Sequence, residues 1–247
     1  MGMGTLMPIP TAITTMTIEP LTAAQQQRLA TWFGAGFPIG AFSYSHGLEA
    51  AFEAGLVEGQ DSLAEWIEGL LLFGSGRNDA ILFVAAYRAM SDVAEVATLA
   101  AALSPSRELR AETLNQGDAF LRAVRKGWPD FFPRKGETLT GDLQLPDAPL
   151  ALPVAAGLCC AAAGIPLHAS LLAYLHAFAA NIVSAALRSM PIGQSDGLVV
   201  QGRVEATISE AAETALAASL DDLGSATPML DWLSATHETQ YSRLFRS

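Results

Sequence analysis

Apolar residues recur along much of the chain at three- and four-residue spacing, and clusters of Gly, Pro and Ser separate the runs. This pattern predicts amphipathic helices joined by short connections. Leu167, Leu171, Tyr174, Phe178, Ile182 and Ala185 form the clearest stripe and predict a helix at about 167–189. Val200, Val204, Ile208, Ala211 and Ala215 do the same for about 194–219, and Leu109, Thr113, Phe120 and Val124 for about 106–126. Further helices are expected at about 22–33, 43–54, 92–103, 152–163 and 229–241. Ser62-Leu63-Ala64-Glu65 matches a capping box, in which serine and glutamate satisfy orphan backbone donors reciprocally. It predicts a helix start leading through Trp66, Leu70 and Leu71 to the interruption Gly74-Ser75-Gly76. Asn78 and Asp79 then stand at the opening of a helix that reaches about Met90.

Two stretches lack the pattern. Residues 1–21 are rich in Met, Thr and Pro and read as a loose N-terminal arm. Residues 128–150 hold Pro129, Pro133, Pro146 and Pro149 and read as a long irregular connection crossing one bundle. The expectation is an all-α, single-domain bundle of roughly eight to ten helices over residues 22–247.

Composition narrows the function classes. Hydrophobic residues make up 51% of the chain and charged ones 16%, a balance that supports a packed core. The net charge of −11 repels phosphate backbones, and Lys126 and Lys135 are the only lysines, so nucleic acid is not an expected partner. No Asp, Glu, Lys or Arg occurs from Ala148 to Leu187, a length that could span a membrane. Pro153, Gly164 and Pro166 break that run, and His168, His176, Asn181 and Ser184 punctuate its second half. The expectation is a buried central helix and no membrane partner. Adjacent Cys159 and Cys160 are neither a disulfide framework nor a spaced metal pair, which fits a cytoplasmic protein. The basic region of a signal peptide is also missing, since no positive charge precedes Arg28.

No complete catalytic constellation is visible, and neither lysine stands in a phosphate-cradling Gly-Lys-Ser/Thr ending, so an enzyme is not expected. His46 and Glu49 share one helical face in this reading, but two ligands do not close a metal site. Three segments carry more information. Phe37-Pro38-Ile39-Gly40-Ala41-Phe42-Ser43-Tyr44-Ser45-His46-Gly47-Leu48-Glu49 is a proline-fixed loop entering a helix. Met190-Pro191-Ile192-Gly193-Gln194 breaks two long helices. The end, His237-Glu238-Thr239-Gln240-Tyr241-Ser242-Arg243-Leu244-Phe245-Arg246-Ser247, interleaves arginine with apolar residues in an acidic chain, as interface hot spots do.

Together these segments resemble urease accessory proteins of the UreF family. The first matches the family's Pro-x-Gly-x-Phe-x-x-Ser-x-Gly-Leu-Glu pattern through Pro38, Gly40, Phe42, Ser45, Gly47, Leu48 and Glu49. Asn78-Asp79, Pro153-Val154 with Gly157, Pro191 to Gln194 and the terminal segment also look like family positions. Relatives often carry an aromatic after Pro-Val, where this chain has Ala155-Ala156. The resemblance implies an all-helical homodimer that complexes UreD (also called UreH), recruits the GTPase UreG and helps deliver nickel to apo-urease. It implies no stably bound cofactor, with nickel only in transit. By the same resemblance Tyr241, Arg243, Phe245 and Arg246 would bind UreD, with Tyr44, His46 and Glu49 near that surface. Asn78, Asp79 and Gln194 would support a GTPase-facing or nickel-transit surface. Two alternatives stand beside this one. One is a GTPase activator supplying an arginine. The other is a direct nickel chaperone using His46, His168, His176 or the cysteines.

Overall fold

The computed structural model describes residues 20–89, 93–104, 106–131, 149–226 and Phe245. The expected arm at residues 1–21, except its last two, the helix at 229–241 and most of the 128–150 connection lie outside the described residues. Among the described residues there are nine α-helices and no strand: α1 Ala23–Trp32, α2 Leu48–Glu53, α3 Gln60–Phe73, α4 Ser75–Ala89, α5 Ala94–Ala102, α6 Arg107–Gly127, α7 Leu152–Ala162, α8 Leu167–Ser189 and α9 Gln194–Ala217. Short 3₁₀ turns lie at Ala41–Ser43, Pro129–Phe131 and Leu220–Asp222.

Local chemistry sets several of the boundaries. The Thr22 hydroxyl accepts the Gln25 amide while Gln25 Oε1 accepts the Thr22 amide at 2.8 Å, closing a capping box on α1. Ser106 caps α6 by accepting the Leu109 amide. The Asp196 carboxylate accepts the Gly193 amide at 2.8 Å at the start of α9. The expected start at Ser62 is corrected: α3 begins at Gln60, and the Ser62 hydroxyl sits inside the first turn. There it accepts the amides of Glu58 and Gly59, reaching backwards rather than capping forwards.

One hydrophobic core runs through all nine helices. α4 lies at its centre, packed on α3, α7, α8 and α9, while α6 covers α7 and α2 rests on α8. Close approach at α7 needs a missing side chain. A Cβ at Gly157 would lie 2.5 Å from the Phe83 carbonyl oxygen of α4. The apolar helix α8 meets the length and composition of a membrane span. Leu171, Tyr174, Phe178, Ile182 and Ala185 are nonetheless buried against its neighbours, which makes α8 a core helix of the bundle.

Candidate functional site

The segment Phe37–Glu49 does not enter a helix at Ser43. Ala41–Ser43 form a single 3₁₀ turn, and α2 starts only at Leu48. The cause is backbone handedness. Gly47 has φ 75° and His46 has φ 52°, and left-handed residues cannot sit inside a right-handed helix. The break turns Tyr44, Ser45, Leu48 and Glu49 inward, all of them buried. His46 and Glu49 therefore do not share a helix face as the spacing suggested.

His46 points toward α6 and α8. Its Nε2 lies 3.4 Å from Glu112 Oε1, and its ring packs on Phe178 with centroids 5.0 Å apart. Glu112 is 3% exposed and accepts a hydrogen bond from Gln116 Nε2 at 3.0 Å. Across the same space, the Tyr174 hydroxyl of α8 donates to Asp79 Oδ2 of α4 at 2.7 Å. Burial pushes the Asp79 carboxyl up to about 6, with Glu112 adding to the rise and the Tyr174 bond and His46 opposing it. The Tyr174 hydroxyl is held well above its ordinary range by burial and by the Asp79 charge. Asn78, on the next turn position, accepts the Gly224 amide at 3.0 Å through Oδ1. His46, Asn78, Asp79, Glu112, Gln116 and Tyr174 all line one cavity of about 560 Å³, whose wall also includes Phe33, Phe37, Phe120 and Phe178 among many small and aliphatic residues.

A second cluster lies where the chain end returns to the body. Phe245 is buried, and its amide donates to Glu49 Oε2 at 3.1 Å. Its ring lies 4.6 Å beneath the Arg188 guanidinium, whose Nη1 also donates to the Phe42 carbonyl. Phe245 thus ties together the 3₁₀ turn, α2 and the end of α8. Tyr241, Arg243 and Arg246 lie outside the described residues. Gln194 opens α9 in an exposed position and is not among the residues lining the cavity.

The remaining metal candidates are dispersed. His168 Nε2 lies 3.0 Å from Glu213 Oε1, an ion-pair geometry, and His176 is exposed. Cys159 and Cys160 are fully buried, and burial pushes the Cys160 thiol up to about 12. Among the described residues no group of three or more His, Cys, Asp or Glu side chains could hold a metal ion.

A model of the UreF family matches residues 57–205, more than half of the chain. The chain belongs to the UreF family. A protein of Rhodopseudomonas palustris (strain TIE-1) named urease accessory protein UreF is 44% identical over 237 residues, covering 93% of this chain and 96% of the relative. One of Bradyrhizobium diazoefficiens with the same name is 45% identical over 230 residues, covering 91% and 93%. A third, of Methylobacterium radiotolerans, is 46% identical and covers 93% of this chain and all of the relative. The family model covers Asn78, Asp79, Glu112, Gln116 and Tyr174 of the first cluster and Arg188 of the second. Glu112 and Gln116, which the sequence reading of this UreF-family chain missed, complete the first of them. Their signal was the i, i+4 series Glu112, Gln116, Phe120, Val124, which places two polar residues on the buried face of α6.

Proposed function

We propose that this chain is a non-catalytic scaffold for assembly of the urease nickel centre, complexing UreD and recruiting the GTPase UreG. The observation that carries the reading is likeness over more than nine-tenths of the chain to relatives named urease accessory protein UreF. Within that reading the end of the chain is the UreD-facing element, and Phe245 anchors it. Its ring is buried under Arg188 and its amide is fixed on Glu49. Tyr44 and Glu49 then act from inside, shaping the surface rather than touching the partner.

The inward placement of Asn78 and Asp79 favours nickel transit over a GTPase-facing role, whereas the exposed Gln194 suits contact with UreG. Nickel is cargo here, so a lining of scattered oxygen and nitrogen atoms suffices and a closed ligand set would hinder release. As a homodimeric scaffold the chain would act by coupling equilibria, binding the loaded GTPase better than its other states and so biasing release toward apo-urease.

Co-expression with UreD and affinity capture tests the docking element. Truncation after Gln240 would also remove Phe245, so the deciding variant is the combined Tyr241→Ala, Arg243→Ala, Arg246→Ala, which keeps the anchor. The unaltered chain is expected to capture UreD, and the triple variant to lose it with an unchanged circular dichroism spectrum. A triple variant that binds normally removes the terminal segment from the docking surface. Failure of the unaltered chain to bind UreD overturns the scaffold reading.

A further inference from the structure

The cavity beside Asp79 has a chemistry that a bare metal path does not call for. Phe33, Phe37, Tyr174 and Phe178 contribute to its wall, with Phe33 set edge-on to Tyr174 at a centroid distance of 6.0 Å. Beside the Tyr174 hydroxyl, its titratable lining is two carboxylates and one imidazole, His46. Asp79 and Glu112 line it, and no lysine or arginine does so among the described residues. The two carboxylates are not equivalent. Glu112 is already held by Gln116 and faced by His46. Among the described residues Asp79 accepts one hydrogen bond, from Tyr174 to Oδ2, and Oδ1 takes none. Asp79 is half-buried, so Oδ1 opens onto the cavity and is free to accept from a bound group.

A ligand that meets all of these features carries N–H donors and positive charge at one end and a flat apolar body at the other. The donors would pair with Asp79 while the aromatic and apolar wall receives the flat body. About 560 Å³ lies within the range of small-molecule sites. We propose that this cavity binds a small organic cation, an amidinium or ammonium on an apolar body, through Asp79 Oδ1 and the surrounding aromatic rings. The apolar and aromatic part of the wall is what distinguishes this binding from nickel transit, which would use only the scattered oxygen and nitrogen atoms of the same cavity.

Benzamidine and its neutral isostere benzamide, titrated into the purified full chain by calorimetry at about pH 7.5, test this. Benzamidine is expected to bind once per chain and at least about tenfold more tightly than benzamide. Asp79→Asn is expected to cost benzamidine at least about tenfold while leaving benzamide unchanged. Equal binding of the two probes would reduce the site to apolar filling and overturn the proposal. So would undiminished benzamidine binding by the Asp79→Asn chain, or no benzamidine binding at all. If the variant failed to fold, the comparison of the two probes on the unaltered chain would still decide.

Discussion

Asp79→Asn should make the protein more stable at neutral pH, although it removes the charge of a residue at the centre of the candidate site. The carboxyl is raised from an ordinary 3.8 to about 6, chiefly because α4 holds it out of water. Two pKa units at about 1.4 kcal/mol each amount to ~3 kcal/mol of cost for keeping Asp79 ionised in the fold. That is a ceiling, since Asp79 is only half-buried and opens onto the cavity. Asparagine carries no charge and still offers Oδ1 to the Tyr174 hydroxyl, though a neutral acceptor returns about 1 kcal/mol less than a carboxylate. The net gain expected at about pH 8 is therefore ~1–2 kcal/mol. The sign follows from the raised value. The folded chain binds the Asp79 proton more tightly than the unfolded chain, so the penalty is absent below about pH 4 and grows as pH rises through 6. Urea unfolding followed by circular dichroism at about pH 4 and about pH 8, on either side of the pI near 4.7, measures both ends. An advantage of the variant that is equal at the two pH values would refute the ionisation argument. So would a loss exceeding about 1 kcal/mol at pH 8.

Other substitutions probe packing and anchoring. Glu49→Ala leaves the buried Phe245 amide without its acceptor and should cost about 1–3 kcal/mol in urea unfolding, with Glu49→Gln costing less than half as much. Gly117→Ala would drive a Cβ into the backbone of Leu150–Leu152, and a loss of more than about 3 kcal/mol is expected because backbone cannot yield as a side chain can. Gly202→Ala is the matched control, mid-helix in α9 with nothing near a new Cβ, and should raise stability by up to ~1 kcal/mol. Arg203→Ala breaks contacts to Asp61, Glu65 and Glu68 that join α9 to α3, yet these are exposed enough that the cost should stay below about 1 kcal/mol and shrink with added salt.

The long helices were legible because their burial is one-sided and regular. Every residue of the expected stripe in α9, from Val200 to Ala215, is buried, and the α8 stripe from Leu171 to Ala185 is too. Only tertiary geometry decides what a pattern of types leaves open. Ser62 has the right partners for a cap on either side of itself, and the chain closes the hydrogen bond backwards to Gly59. The side on which a hydroxyl pairs depends on where the preceding loop Gly55–Gly59 arrives, which no local spacing records.

The site was legible in its residue types and hidden in its placement. Tyr44, His46 and Glu49 look like one surface patch if the helix begins at Ser43, with i, i+3 neighbours on a shared face. Two left-handed residues, His46 and Gly47, change this. A non-glycine residue at φ 52° costs free energy that its surroundings must offset. At His46 the surroundings are the Phe178 ring and the Glu112 carboxylate, both across the bundle. The imidazole faces the cavity because the backbone is turned, and the turned backbone is held by what the imidazole meets there. The same turn aims Glu49 the other way, at the amide of Phe245. One backbone reversal therefore separates the family motif into a part that lines the cavity, at His46, and a buried part that anchors the chain end, at Glu49. The cavity wall and the terminal anchor share the segment His46–Glu49 between them.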